Sequence, residues 1–273
     1  RRDKFQNSLA IEYRQPVFWF GVSELAAEIR TRDYRNQFTE FAASAGLSAR
    51  LGDRSTLGST LEWTRVDPVA GLIGYSRYLA RIDFGLSTVV DTVNPHSGNF
   101  LHWSVGYAYR QYRKTDDTAG SVQFSLNETR SQFTVGRYQP LGPAFVGLAI
   151  VNLKMLTTPE EFPPVSELFF IGGPGTIRGY RTDQFSARRS VFGGAELRWR
   201  GAARYLFGFC DAAYIVQPLA RPSGVLNDEL TRIGYGIGAT LIDRDRSVML
   251  AFAWNPEIRF SSPRLILRVA TGL

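Results

Sequence analysis

A glycine-flanked arginine is the first candidate for chemistry in this chain. Residues 168–183 read LFFIGGPGTIRGYRTD, so an apolar run stops at Gly172 and Gly173, and Arg178 stands directly before Gly179. Glycine permits tight turns and close backbone approaches that other residues resist, and this many breakers exclude a regular strand. We therefore predict an ordered loop tip that delivers one cation, Arg178, to a defined place. The whole connection runs to about 30 residues, and a loop of that length without its own secondary structure is usually functional or disordered.

Two kinds of active site fit the residues poorly. A phosphate-binding loop of the Walker kind needs a lysine followed by serine or threonine after its last glycine, and Arg178-Gly179 stands there instead. A hydrolase would use His102 with Ser104, but residues i and i+2 of a strand lie about 7 Å apart along it. That separation exceeds the hydrogen-bond reach that a nucleophile and its base require. We expect no catalytic residue, no metal site and no cofactor, and therefore no enzyme.

The glycines of residues 234–239 formally match the dinucleotide-binding pattern G-x-G-x-x-A, which needs a helix that opens at the glycines. Apolar residues at 233, 235, 237, 239 and 241 instead keep a two-residue period through the motif. Gly234, Gly236 and Gly238 therefore form a row almost without side chains on the polar side of one strand. We expect this row to leave room inside the protein, with the long loop as its occupant.

The elements that must position these residues are β-strands, because apolar and polar side chains alternate along most of the chain. About thirteen strand-like segments of about 10–14 residues emerge, against the 5 or 6 residues usual in soluble sheets, and we find no convincing helix. Arg, Glu and Asp recur at mid-strand on the polar faces, whereas Trp, Tyr, Phe and Leu occupy the apolar faces. This pattern is typical of a transmembrane antiparallel β-barrel with a polar lumen. The alternative is a soluble β-sandwich or solenoid.

Composition bounds the remaining function classes. The chain of 273 residues fits one domain, and no apolar run approaches the roughly 18 residues of a membrane helix. The formal net charge of +7 admits nucleic acid as a partner, but the arginines are spread through strand-like segments rather than clustered. We therefore expect no nucleic acid partner. The only cysteine, Cys210, excludes an internal disulfide bond.

Four features together resemble the outer-membrane insertase and two-partner-secretion transporter superfamily, the BamA- and TamA-type proteins of the bacterial surface antigen family. The loop tip is similar to its V/I-R-G-F/Y signature, through Gly172, Gly173, Ile177, Arg178, Gly179 and Tyr180. Residues 193–196, GGAE, resemble its G-x-x-E motif, and residues 209–213, FCDAA, its F-x-D-x-G motif with Ala213 in place of the last glycine. Five strand-like segments follow the loop, as in the family.

The resemblance implies that barrel-wall residues Glu196, Phe209 and Asp211 receive the loop tip. Alternation independently places both acids on the polar side of their strands. We hypothesise that Arg178 pairs with Asp211 and Glu196, because a guanidinium fork can bond two acceptors, and that Tyr180 packs beside them. The alternative is that Arg178 is a solvated loop cation.

The strand count bears on the domain organisation, since the family's usual barrel has sixteen strands. We predict twelve, with residues 1–16 as an N-terminal leader or partial strand and residues 17–273 as the transmembrane β-barrel. The alternative is an incomplete part of a sixteen-stranded barrel. We expect the long extracellular loop to fold into the lumen, and no periplasmic polypeptide-transport (POTRA) domain in this chain.

The resemblance also implies a function. It places the protein in the bacterial outer membrane, where it would assist the insertion or translocation of polypeptides or lipid. The expected partners are outer-membrane lipid, nascent outer-membrane or secreted polypeptides, and either a second copy of the chain or a separate periplasmic protein. The alternative function is a passive outer-membrane pore or a structural barrel without transport activity. The substrate and the oligomeric state do not follow from the sequence.

Overall fold

Long antiparallel strands account for most of the chain. The computed structural model describes residues 6–19, 22–34, 37–68, 73–91, 94–116, 120–201, 204–221, 224–243 and 246–271. Within these residues, thirteen strands form one sheet in chain order. They are β1 Gln6–Trp19, β2 Val22–Tyr34, β3 Phe38–Arg50, β4 Ser55–Pro68, β5 Tyr75–Ser87, β6 Gly98–Asp116, β7 Gly120–Pro140, β8 Phe145–Thr157, β11 Arg189–Arg200, β12 Arg204–Arg221, β13 Gly224–Asp243, β14 Arg246–Trp254 and β15 Arg264–Thr271. Two short strands, β9 Phe169–Ile171 and β10 Phe185–Ala187, form a separate hairpin.

The first strand corrects the predicted domain boundary and strand count. β1 pairs with β2 from Gln6 opposite Tyr34 onward, and its register shifts only between Pro16 and Trp19. The predicted boundary between residues 16 and 17 therefore falls inside a strand, and the described sheet has thirteen strands rather than twelve. Proline lacks the N–H that a central strand needs, but it is tolerated in a terminal strand or at an irregularity. Residues 1–5 of the predicted leader lie outside the described residues.

The chain divides into two compact units. The first comprises Arg1–Gly85, Trp103–Ser131 and Leu156–Glu167, and the second comprises Leu86–His102, Gln132–Met155 and Leu168–Leu273. In the first unit the outward residues of the strands are exposed, for example Leu61 at 69% and Ile82 at 62%. Long rows of exposed apolar side chains are unfavourable in water. They are the expected lipid-facing surface of a transmembrane barrel.

The register of β11, β12 and β13 in the second unit decides which side chains face the long loop. Glu196 lies opposite Phe209, and Phe209 lies opposite Gly236. Two residues along, Asp211 lies opposite Gly234. Because side chains alternate along strands, all of these residues share one side of the sheet, which we call the loop-facing side. The residues between them point the other way, and among these Cys210 is exposed.

The connection between β8 and β11 has secondary structure of its own, which the sequence analysis does not predict. It contains a short 3₁₀ helix, Val165–Glu167, and the β9–β10 hairpin, in which Phe185 lies opposite Ile171. Apolar side chains of the hairpin and tip pack with residues of β11 and β12 in one buried cluster. Its members are Ile171, Ile177, Tyr180, Phe185, Ala187, Phe192, Ala213 and Ile215. Ile171, Phe185 and Ala187 thus anchor the β9–β10 hairpin to β11 and β12.

Candidate functional site

The tip of the long loop is a compact glycine turn. Gly172 and Gly173 have positive φ values of 125° and 90°. The Gly172 N–H donates to Thr176 Oγ1 at 2.7 Å, and the Gly173 N–H donates to the Ile177 carbonyl at 3.1 Å. Ile177 is fully buried in the apolar cluster. These contacts fix the direction in which Arg178 leaves the loop.

Arg178 lies against Asp211 of β12. Its Nε donates to Asp211 Oδ2 at 2.8 Å, its Nη2 donates to Oδ1 at 2.6 Å, and its backbone N–H donates to Oδ2 at 3.0 Å. This is a two-pronged guanidinium–carboxylate pair with an added backbone bond, a geometry that lysine cannot reproduce. The side chain of Asp211 is only 4% exposed.

Glu196 of β11 completes what we call the Arg178 latch, which consists of Arg178, Asp211 and Glu196. Arg178 Nη1 donates to Glu196 Oε1 at 2.5 Å. The other carboxylate oxygen accepts from Arg198, at 2.9 Å from Nε and 2.7 Å from Nη2. Two guanidinium groups therefore balance two carboxylates, so the charges on the loop-facing side are paired rather than left uncompensated.

The Phe209 ring packs against the guanidinium group of Arg178. The Arg178 guanidinium carbon lies 3.6 Å from the centre of the Phe209 ring, a cation–π distance. Burial by itself opposes the charged form of Arg178, but the hydrogen bonds and charge of Asp211, together with the charge of Glu196, raise the pKa of Arg178 above its ordinary value. Arg178 therefore stays charged, and its contacts with Asp211 and Glu196 exclude the solvated cation of the alternative interpretation.

The three glycines of β13 that face the loop, Gly234, Gly236 and Gly238, lie next to two different kinds of atoms. A Cβ atom at Gly234 would overlap the backbone carbonyl oxygen of Arg178. At Gly236 and Gly238 a Cβ would instead meet the rings of Phe209 and Phe207. The expected loop occupant is therefore present at Gly234, whereas the other two glycines leave room for aromatic side chains of β12.

Tyr180 lies in the apolar cluster of the loop. It is 4% exposed, and its ring centre lies 5.4 Å from that of Phe185. Burial raises the pKa of Tyr180 above its ordinary value. The ring of Tyr180 thus packs in the apolar cluster, whereas its hydroxyl lies near the Ile233 backbone, and its predicted place beside the two carboxylates stays a prediction.

Sequence reasoning missed a second support of the tip, at the Gly179 carbonyl. This oxygen accepts from Asn255 Nδ2 at 2.6 Å and from Arg264 Nε at 2.9 Å. Gly179 has a φ of 91°, and a Cβ there would overlap the Trp254 carbonyl oxygen. The glycine is therefore needed both for its conformation and for its close approach to the end of β14.

Replacing Asn255 with alanine tests this support. We expect the loop tip to lose about 1 kcal/mol of anchoring free energy, because Arg264 still donates to the Gly179 carbonyl. The rate of protease cleavage within the loop, measured on the folded protein, should rise several-fold. Asn227 of β13 is exposed, so Asn227→Ala is the matched control and should cleave as the wild type does. Equal rates for both variants would contradict the assigned role of Asn255.

A second ionic site, in the first unit, was also missed. Glu167 ends the 3₁₀ helix of the loop and is fully buried. Its Oε2 accepts from Arg77 of β5 at 2.5 Å and from Arg130 of β7 at 2.6 Å, and its Oε1 accepts from the Tyr75 hydroxyl. Arg130 also donates to the Glu167 backbone carbonyl at 2.9 Å. We call this set of four residues the Glu167 site.

Neighbouring charges extend the Glu167 site. Arg77 also donates to Glu62 at 2.8 Å. Arg110 of β6 pairs with Glu128 at 3.3 Å and donates to the loop residue Glu160. The only signal in the sequence is the repeated occurrence of charged residues at mid-strand, which shows the side that they face but not their partners.

The ionisation of Glu167 gives a prediction about pH. Burial opposes its charge, but the charges of Arg77, Arg130 and Arg110 outweigh this and hold the pKa of Glu167 well below its ordinary value of 4.5. A depressed pKa stabilises the folded state fully above the unfolded value and loses this effect as the pH falls through the folded value. The difference in loop cleavage rate between wild type and Glu167→Gln should therefore persist at neutral pH and shrink as the pH falls below 4.5. A difference that disappears near neutral pH would contradict this assignment.

A known family covers most of the chain. The Omp85 superfamily domain matches residues 2–242. This chain belongs to the Omp85 superfamily. No curated protein sequence matches it.

Three solved structures of bacterial proteins are similar to this Omp85 chain. BamA from Haemophilus ducreyi lacking POTRA domains 1–3 has 12% sequence identity and a TM-score of 0.51, over 99% of this chain and 70% of that one. CdiB from Acinetobacter baumannii has 9% identity and a TM-score of 0.48, over 98% and 59% of the two chains. The translocator domain of the autotransporter NalP from Neisseria meningitidis has 12% identity and a TM-score of 0.37, over 97% and 84%.

The predicted fold class and location are confirmed by the family match and by the likeness to BamA. The likeness to the BamA barrel shows the fold, a transmembrane antiparallel β-barrel. Membership of the Omp85 superfamily makes the protein a bacterial outer-membrane barrel of the insertase and translocase type. Within the part of the chain that the structure describes, no helix is long and apolar enough to cross a membrane.

Proposed function

We propose that this Omp85 barrel assists the insertion or translocation of polypeptides, or of lipid, at the outer membrane. The observation that carries the proposal is the Arg178 latch, which fastens the long loop to the loop-facing side of β11 and β12. A loop held by buried ion pairs has two well-separated states, seated and released, and transport can use that difference. A passive pore needs no such device.

The proposed role is physical rather than catalytic. A barrel that lowers the barrier to membrane insertion needs no nucleophile and no proton transfer. Among the described residues, no group of three or more His, Cys, Asp or Glu side chains is placed to hold a metal ion. The partners of this role are outer-membrane lipid, a polypeptide client, and either a second copy of the chain or a separate periplasmic protein.

The test is the folding of a client barrel into liposomes. Wild-type protein, reconstituted in outer-membrane lipid, should accelerate several-fold the folding of a second, urea-unfolded outer-membrane barrel, measured by the heat-dependent gel shift of the folded client. Arg178→Ala should lose most of this acceleration while remaining folded itself. Empty liposomes and Arg189→Ala, a variant at an exposed arginine of β11, are the controls.

Conductance in a planar bilayer distinguishes the alternative function, a passive pore, from the proposed function. A passive pore should give a large, steady conductance and no acceleration of client folding, and that pair of results would overturn the proposal. Acceleration together with a small conductance, raised by Arg178→Ala, is the result expected of a barrel obstructed by its own loop.

A further inference from the structure

The arginines of the Glu167 site are not part of the Arg178 latch. They form a separate binding site for a carboxylate. Arg77 lies on β5, Arg130 lies on β7 and the neighbouring Arg110 lies on β6, whereas the acid comes from the loop. A second loop acid, Glu160, reaches the same group: it accepts from Arg110, and from the Tyr112 hydroxyl at 2.8 Å. Two carboxylates carried on one chain segment therefore bind to adjacent cations of the strands.

Two of these arginines have side-chain donors that the described residues leave without an acceptor. Arg77 pairs with Glu62, and Arg110 pairs with Glu128. Arg110 is fully buried, and its Nε and Nη1 have no hydrogen-bond partner among the described residues. The same is true of Arg77 Nε. Buried donors of this kind are costly unless an acceptor binds to them, and a carboxylate is the acceptor that matches a guanidinium fork.

We propose that Arg77, Arg110 and Arg130 bind acidic side chains of a polypeptide in transit, and that Glu167 is a built-in competitor which holds the site while the loop is seated. This inference rests on the proposed function, because the polypeptide is its client. The arrangement of Glu160 and Glu167 argues for an acidic peptide rather than a free inorganic anion, since two carboxylates of one segment already fit the site.

Peptide binding tests the competitor. The probe is a fluorescent peptide of eight glutamates with blocked termini, and its anisotropy is followed with the full chain in detergent micelles. Glu167→Gln should bind the probe about tenfold more tightly than wild type, because a tethered carboxylate competes at an effective concentration of about millimolar. Glu161 lies in the same loop and is exposed, so Glu161→Gln makes the same change in charge and should bind as wild type does. Equal affinities for Glu167→Gln and Glu161→Gln would overturn the proposal.

A second measurement covers the case in which Glu167→Gln does not fold. In Glu167→Ala, acetate should restore protease protection of the loop, whereas sodium chloride of the same ionic strength should not. No effect of acetate would show that the arginines do not receive a carboxylate. The client-folding assay is a separate measurement. A barrel that binds the acidic peptide but does not accelerate client folding would contradict only the proposed function.

Discussion

Replacing Arg178 with alanine is expected to free the tip of the long loop from β11 and β12. The change leaves Asp211, whose side chain is 4% exposed, without its main counter-charge, and breaking one side of a buried ion pair costs about 3–5 kcal/mol. Arg198 still neutralises Glu196, so the loss falls mostly on Asp211. Cleavage of an opened segment follows the opening equilibrium, so proteolysis within residues 168–188 should accelerate about a hundredfold or more at this cost.

Three variants sharpen this test. Arg189 begins β11 directly after the loop and its side chain is exposed, so Arg189→Ala should be cleaved at the wild-type rate. Arg178→Lys keeps the charge but loses the fork, so an intermediate rate is expected. Asp211→Asn should approach the rate of Arg178→Ala. If Arg178→Ala and Arg189→Ala were cleaved equally slowly, the latch would not be what holds the loop in place.

Adding a single methyl group at Gly234 is expected to release the loop as effectively as removing Arg178. In Gly234→Ala the new Cβ would overlap the Arg178 carbonyl oxygen, a backbone atom that no rotamer change can move aside. The strand is held by its ladder with β12, so the tip must shift. The loop should then show a protease sensitivity comparable to that of Arg178→Ala, although every charge of the latch is still present.

The matched control for this substitution is Gly208→Ala on β12. The nearest atom to a Cβ at position 208 is the Gly236 carbonyl oxygen at 4.0 Å, which is an ordinary contact. This variant should keep the wild-type cleavage rate and the wild-type thermal unfolding temperature. A Gly234→Ala protein with full loop protection would show that the tip does not pack against β13 as described.

The latch could be predicted because strand alternation decides which way a side chain points. Glu196 and Asp211 fall on the polar side of β11 and β12 by counting alone, and the loop offers only a few cations near its glycine tip. The resemblance of residues 193–196 and 209–213 to family motifs then singled out these two acids among many. At these two positions the side of the strand, the charge of the side chain and the family motif all point to the same partners. The sequence is therefore sufficient to predict the pairing with Arg178.

The Glu167 site could not be predicted in the same way. Its partners Arg77 and Glu167 stand 90 residues apart in the chain, and many other acids and arginines face the same side. Which of them meet depends on strand register and on the path of the loop. Asn255 and Arg264 likewise resemble ordinary residues at strand ends.

The position of the only thiol has a practical consequence. Cys210 directly precedes Asp211 on β12, but it points away from the loop and is exposed. A polarity-sensitive dye attached there requires no engineered residue and leaves every partner of Arg178 untouched. The fluorescence of a dye on Cys210 can therefore report release of the loop from the opposite face of the strand that binds it.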